Sequence, residues 1–282
     1  MRASRSTLGA IALFAGQELT LAVRSRWTAI FAVVFAALSL AVGASGYILT
    51  GGLGMQDFSR TAASLVQLVL LLVPLTALLI GVHSLAPERG AAELLFAQPV
   101  SRSVVVLGKL LGLFQALAAA QAVGFGAAGL VILAQAGQEG VGGLALLVAG
   151  SLALTAIFLG LSALIAAGNV GRRARALAVA LVTWFVAVVL FDVAALGIAS
   201  MLRSGHASRL LVAAVLVNPV DAVRTGTLLG IEGDAAFGAA SLAFFRILGG
   251  RQWAATLLGV SLVVWFVMPV VLAIRRLRLA DL

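Results

Sequence analysis

Residues 65–86 read LVQLVLLLVPLTALLIGVHSLA and contain no Asp, Glu, Lys or Arg. A transmembrane helix needs about 20 consecutive apolar residues to cross a hydrocarbon layer of roughly 30 Å. This stretch is long enough and apolar enough to do so. We therefore interpret it as a membrane-spanning helix.

Further apolar runs of similar length lie on both sides of it. Of the 282 residues, 62% are hydrophobic and only 10% are charged, whereas a water-soluble domain has roughly a quarter of its residues charged. The chain is thus predicted to be one all-α, polytopic transmembrane domain over residues 1–282, with little left for a separate soluble domain. Its six transmembrane helices are expected at about 27–49, 65–86, 107–134, 142–168, 176–200 and 254–274.

The segment before the first span has a helical pattern of its own. Apolar residues recur at steps of three and four over about 8–25, while Gln17, Glu18 and Arg24 occupy the other side. This pattern predicts an N-terminal amphipathic helix that lies in the membrane surface. The apolar stretch is short and lacks a convincing cleavage site, so it is not read as a secretory signal.

Positive charges alternate between rich and poor segments along the chain. Of the 19 Lys and Arg residues, 13 lie in the N-terminal segment, in 87–109, in 169–175 and in the C-terminal tail. Because cytoplasmic loops carry the excess of positive charge, both termini are predicted to face the cytoplasm across an inner (plasma) membrane. The basic net charge is a membrane-loop pattern, and no nucleic-acid partner is expected.

The segment of about 201–253 is the one long stretch predicted outside the membrane core, and it faces outward. Its apolar pieces 210–217 and 235–245 are too short to span a bilayer, so they are expected to be interfacial or re-entrant helices. Asn218 and Pro219 mark a turn between them.

The sequence offers no catalytic or metal-binding pattern. Gly108-Lys109 is followed by Leu110 rather than by the Ser or Thr of a phosphate-binding loop. The chain has no Cys, two His and four widely separated Met residues, so neither a thiolate site nor a ladder of soft metal ligands is expected. We predict that the chain is not an enzyme and binds no metal or cofactor itself.

Two polar residues fall within predicted spans. Asp192 lies in the outer part of the fifth span, where it either reaches the outer headgroups or pairs with Arg203, Arg209 or Arg224. His83, near the inner end of the second span, is interpreted as a structural histidine with satisfied hydrogen bonds.

The inner segment 87–102 reads PERGAAELLFAQPVSR. Pro87 ends the second span, and a helix of about two turns follows until Pro99 stops it. Such a short helix is not stable alone. It presents Leu94 and Leu95 on the cytoplasmic side, either as a knob for a partner's groove or as part of an ordinary interfacial connector.

This run, together with Gly108-Lys109, resembles the first coupling-helix region of ABC-2 type transporter permeases, although Ala91 stands where many members have Thr. The order of elements is also similar: an amphipathic elbow helix, six spans, short cytoplasmic coupling helices and an outward segment before the last span. The resemblance implies that a cytoplasmic ATPase docks here and at the 168–175 turn, whose arginines are otherwise solvated loop charges. The residues assigned to coupling are Glu88, Arg89, Gly90, Glu93, Leu94, Leu95, Pro99, Ser101, Arg102, Gly168, Arg172, Arg173 and Arg175.

Within that family, the runs QPVSR at 98–102 and NPVDAVR at 218–224 resemble the NosY-like permeases of nitrous oxide reductase maturation. That likeness implies a homodimer with two copies of an ABC ATPase, which binds the ATP and magnesium, and a periplasmic partner that assembles the copper centre. Asn218, Pro219, Asp221 and Arg224 then form a partner contact or gate, or simply a capped turn. The alternatives are an ABC-2 permease that exports a lipid or drug, or a non-transporting membrane scaffold.

Overall fold

The computed structural model describes residues 7–50, 55–86, 101–136, 139–233 and 238–279. Within these ranges the chain is helical and contains no β-strand. A π-helical turn spans Val186–Leu190. The α-helices of the described ranges are α1 Thr7–Val23, α2 Arg26–Thr50, α3 Met55–Leu85, α4 Arg102–Ala136, α5 Glu139–Ala167, α6 Arg173–Phe185, α7 Phe191–Ser200, α8 Ser204–Val217, α9 Pro219–Glu232, α10 Ala239–Leu248 and α11 Arg251–Leu279.

Across those ranges, six segments are long and apolar enough to cross a membrane. They are α2, α3, α4, α5, the continuous α6–α7 segment and α11. Each apolar run of the sequence corresponds to one of these helical segments, so the predicted all-α architecture with six transmembrane helices is confirmed.

Helix α3 lies at the centre of the bundle. In its most apolar part 61% of the residues are buried, against 11% in α6–α7 and 17% in α11. It contacts α2, α4, α5 and α6, and the largest fully buried side chains include Leu65 and Leu78 of this helix together with Phe35 and Phe158. Spans five and six are peripheral and leave wide apolar faces exposed in the single chain.

Small residues allow the central helices to approach closely. A Cβ atom on Gly124 of α4 would lie 2.4 Å from the Phe35 ring of α2. One on Gly81 of α3 would lie 2.1 Å from the Ser162 Oγ of α5. Close backbone approach through small residues is how membrane helices gain packing contacts, and here it joins α2 to α4 and α5 to α3.

One end of the bundle carries most of the arginines. There Arg102, in the first turn of α4, donates a hydrogen bond to the Leu277 carbonyl of α11. Arg173, at the start of α6, donates to the His83 carbonyl of α3 over 2.5 Å. We call this the basic end: the end formed by residues 24–26, 84–86, 101–109, 168–175 and 275–279.

Helices α8 and α9 form a bent pair at the opposite end, with an angle of 103° between them at Asn218. Helix α9 contacts α3, α5 and α11, and most of its first ten residues are buried. The sequence predicted the turn but neither this helix nor its burial. Within the described residues α9 is packed into the bundle, and the position of 201–253 outside the membrane core stays a prediction.

The N-terminal helix also differs from its expectation. Helix α1 packs along α4, and it buries Ala15, Glu18 and Ala22. Leu8 and Leu21, by contrast, are 78% and 57% exposed. The sequence pattern places Glu18 away from the apolar stripe, at the membrane surface. In the structure Glu18 faces the protein, where Lys109 is its ion-pair partner.

Candidate functional sites at the two ends of the bundle

The predicted coupling segment is only partly visible. Glu88, Arg89, Gly90, Glu93, Leu94, Leu95 and Pro99 lie outside the described residues. Its end is described: the Ser101 hydroxyl is exposed and lies 3.3 Å from that of Ser103. Arg102 is directed back to α11 rather than outward. The structure therefore fixes where the chain leaves α3 and where it enters α4.

The second predicted coupling region is a tight turn between α5 and α6. Asn169 donates its side-chain amide to the Ile165 carbonyl over 2.9 Å, which caps α5. Gly171 has a φ of +69°, in the left-handed region that favours glycine. A Cβ atom on Gly168 would lie 3.1 Å from the guanidinium of Arg276, so the turn lies beside the end of α11.

The three arginines of this turn have different environments. Arg172 and Arg175 are exposed. Arg173 is partly buried and bonded to the His83 carbonyl, so it holds α3 and α6 together. Both exposed arginines remain accessible to a partner. The side chain of His83 is exposed in the single chain.

At the opposite end, Asn218 organises the bend between α8 and α9. Its Oδ1 accepts a hydrogen bond from the Val220 backbone N–H over 3.1 Å, which caps α9. Its Nδ2 donates to the Ala187 carbonyl in the π-helical turn over 2.8 Å. At 1.5 Å per residue, Ala187 lies roughly 20 Å along the fifth span from Arg173. The bend therefore reaches deep into the bundle.

Helix α11 completes the bend by taking up backbone carbonyls that the break leaves free. The Ser261 hydroxyl donates to the Leu216 carbonyl over 2.6 Å. The Trp265 indole donates to the Val217 carbonyl over 2.8 Å. A break in a helix at membrane depth is tolerated only where such groups find partners, and here both partners come from the last span.

A charged cluster lies just beyond the bend. The Arg224 Nη1 atom is 2.8 Å from Asp192 Oδ2 on α7 and 2.9 Å from Asp221 Oδ1 on its own helix. Only the first pair has hydrogen-bond alignment. Asn218 Nδ2 donates to Asp221 Oδ2 over 3.1 Å. Of the three arginines considered for Asp192, the structure places Arg224 in contact with it.

This cluster, which we call the hairpin cluster (Asp192, Asn218, Asp221 and Arg224), joins the fifth span to α9. The carboxylates of Asp192 and Asp221 are held by one guanidinium. Pro219 occupies the first position of α9, where its missing N–H costs no hydrogen bond. The arrangement is suited to lock two elements together, and to release them when Arg224 moves.

Comparison with known proteins is consistent with this architecture. Residues 12–282 match the family model described as ABC-2 family transporter protein. The chain belongs to the ABC-2 transporter family. It is 36% identical to the probable ABC transporter permease protein NosY of Pseudomonas aeruginosa over 236 residues, which cover 81% of this chain and 85% of that one. It is 33% identical to the protein of the same description from Stutzerimonas stutzeri over equal shares.

The chain is thus an ABC-2 permease: a multi-pass membrane protein of an ABC transporter, in a family of permeases rather than of catalytic enzymes. The predicted membership of that family, and the likeness to NosY permeases, are confirmed.

Reasoning from the sequence of this ABC-2 permease missed Glu18 as a buried polar residue. A signal for it exists in the sequence. Ala15, Glu18 and Ala22 fall on one helical face, and an acid between two small residues is a pattern of close packing rather than of a headgroup-facing surface. The exposed leucines of α1, on the other faces, give the same indication.

Proposed function

We propose that this ABC-2 permease is a homodimeric membrane subunit that works with two copies of a separate cytoplasmic ABC ATPase. On this proposal both termini and the basic end face the cytoplasm, at the inner membrane. The observation that carries it is the convergence of the α3 end, the α4 start and the 168–175 turn at one end. These are the parts that the family resemblance assigns to ATPase contact.

The proposal extends to the process that the transporter serves. The relatives named NosY support a role in assembling the copper centre of nitrous oxide reductase, through a periplasmic partner. Movement of the ATPase subunits would reach that partner through the packed spans, because a close-packed core transmits displacement. The hairpin cluster would serve as the gate or partner contact, because it is the charged link between span five and α9 in the part of the chain that the structure describes.

The coupling role is tested by purifying the tagged permease from its native membranes and measuring the ATP hydrolysis that accompanies it. We expect an ABC ATPase to co-purify, and Leu95→Asp to remove most of it because a charge disrupts an apolar knob. Arg209→Ala, an exposed change at the opposite end, serves as the matched control. A permease that purifies without any ATPase, as a membrane scaffold would, contradicts the proposal.

The process is tested in a strain that lacks the permease. Nitrous oxide reductase from this strain should contain less copper, and a plasmid copy of the permease should restore it. A fully loaded reductase, accompanied by a change in exported lipid or in drug sensitivity, would instead assign the permease to lipid or drug export.

A further inference from the structure

A buried ion pair joins α1 to the two helices that flank the coupling segment. Glu18 is only 6% exposed. Its Oε2 atom lies 3.2 Å from the Lys109 Nζ of α4, and its Oε1 accepts a hydrogen bond from the Ser84 hydroxyl of α3 over 2.5 Å. Lys109 also donates to the Ser84 carbonyl over 3.1 Å. Three helices therefore meet at one carboxylate.

Close backbone packing holds α1 in the same place independently of charge. A Cβ atom on Gly108 of α4 would lie 2.5 Å from the Phe14 Cβ atom. One on Gly112 would lie 2.4 Å from the Ala15 carbonyl oxygen and 2.8 Å from the Glu18 Cβ atom. Glycines four residues apart lie on one face of a helix and allow such an approach. Helix α1 is thus closely packed against α4.

The groups that contact Glu18 lie on either side of the predicted coupling segment in the chain. Ser84 precedes residues 87–100 and Lys109 follows them, so Glu18 binds both flanks of the segment that the proposed function assigns to the ATPase. A partly buried carboxylate is stable only with a partner. If α3 and α4 moved apart at the basic end, Glu18 would lose one of its two contacts. The contact therefore favours movement of the two flanks as one body.

We propose that Glu18 is a positioning residue for energy coupling: it ties α1, α3 and α4 into one unit that carries displacement of the coupling segment into the bundle. This inference rests on the proposed function, because it assumes an ATPase at that segment. It adds that α1 takes part in transmitting the displacement of the coupling segment. The Glu18–Lys109 pair is the contact that links α1 to this movement. Without the pair, the ATPase still binds and hydrolyses ATP, but the opposite end no longer responds.

The test uses the complete complex in lipid vesicles with a cysteine introduced at the opposite end, His206→Cys, in a chain that has no Cys of its own. The readout is the change in maleimide labelling of that cysteine between the nucleotide-free and the vanadate-trapped states. In Glu18→Gln the labelling change should fall to about a tenth of its wild-type size, since removal of one side of a buried pair leaves the other side uncompensated. Co-purified ATPase and its hydrolysis should be retained.

Four further variants test the ion pair and the close packing of α1 separately. The charge swap Glu18→Lys with Lys109→Glu should restore at least half of the labelling change, because it re-forms the ion pair with its charges exchanged. Gln17→Leu, an exposed neighbour on the same helix, should behave as wild type. Gly112→Ala should reproduce the loss, while Gly126→Ala on the same α4, with open space around it, should not.

The outcomes distinguish the two proposals. If no ATPase accompanies even the wild-type permease, the proposed function fails. If the ATPase is present and Glu18→Gln keeps the full labelling change, the role of Glu18 is overturned while the proposed function stands. A wild-type complex that hydrolyses ATP with no change at residue 206 also overturns it, because there would be no displacement to transmit. Loss of ATPase binding in Glu18→Gln does the same, since it makes Glu18 part of docking rather than coupling.

Discussion

At the scale of single residues, Arg224 is the cation of the hairpin cluster. It lies between the carboxylates of Asp192 and Asp221, and Asn218 keeps the second of these in place. A charged group inside a membrane protein normally pairs with another and marks a functional part. The sequence allowed three arginine partners for Asp192. The choice among them depended on the bend at Asn218, which brings α9 back towards the fifth span.

A double-mutant cycle measures this interaction. Arg224→Gln should lower the free energy of unfolding more than Asp192→Asn, because it leaves two carboxylates without their cation. The double variant should be less destabilised than the sum of the single effects, with a coupling of about 0.5–3 kcal/mol. The measurement is unfolding in lipid nanodiscs. Arg209→Gln, which is exposed on α8, provides the control.

If the effects of Asp192→Asn and Arg224→Gln were simply additive, the two side chains would not interact in the folded protein. The hydrogen bond from Asn218 to the Ala187 carbonyl would then remain as the described link between the fifth span and the start of α9.

At the scale of the elements, the spans were predictable and their partners were not. An apolar run of 20 or more residues is by itself a sign of a membrane-spanning helix. Length and composition were therefore enough to predict the six spans. Burial of Glu18 depends on Lys109, which is distant in the chain. Likewise, the contact of α9 with the fifth span depends on Arg224 meeting Asp192, which lies 32 residues away in the chain. Local patterns therefore predicted the helices that face lipid, but not the polar helix faces that contact protein.

The seating of α9 against α5 can be tested by sterics alone. A Cβ atom on Gly150 of α5 would lie 2.9 Å from both Thr227 Oγ1 and Val223 Cγ1 of α9. Gly150→Leu should therefore displace α9 and destabilise the protein by about 1–3 kcal/mol, the cost of overpacking. Gly142→Leu lies on the same helix with open space around it, so it controls for the change of residue type.

Thermal unfolding of the two purified variants gives the comparison. Equal stability of Gly150→Leu and Gly142→Leu would show that α9 does not rest on α5, and the packed position of the re-entrant helix would be wrong.

At the scale of the whole molecule, the two ends have different chemistry. The basic end carries the exposed Arg172 and Arg175. The opposite end carries the bent helix pair and the exposed His206. Since cytoplasmic loops carry the excess of positive charge, we expect the basic end to stay on the cytoplasmic side when the protein inserts into the membrane.

Cysteine labelling of intact cells tests this orientation directly, because the chain itself contributes no thiol background. A membrane-impermeant maleimide should label His206→Cys in intact cells, because the proposed orientation places that end outside. It should label Arg175→Cys only after the inner membrane is opened. The reverse pattern would place the coupling segment outside the cell and would exclude contact with a cytoplasmic ATPase.

The π-helical turn Val186–Leu190 changes the direction, about the helix axis, in which the later side chains of the fifth span point. A turn closed by i to i+5 bonds takes up one residue more than an α-helical turn, which is a phase difference of roughly 100° about the helix axis. Were these residues α-helical, Asp192 would point about a quarter-circle away from Arg224. The turn therefore directs the Asp192 carboxylate towards Arg224. Asn218 donates a hydrogen bond to the Ala187 carbonyl within the turn.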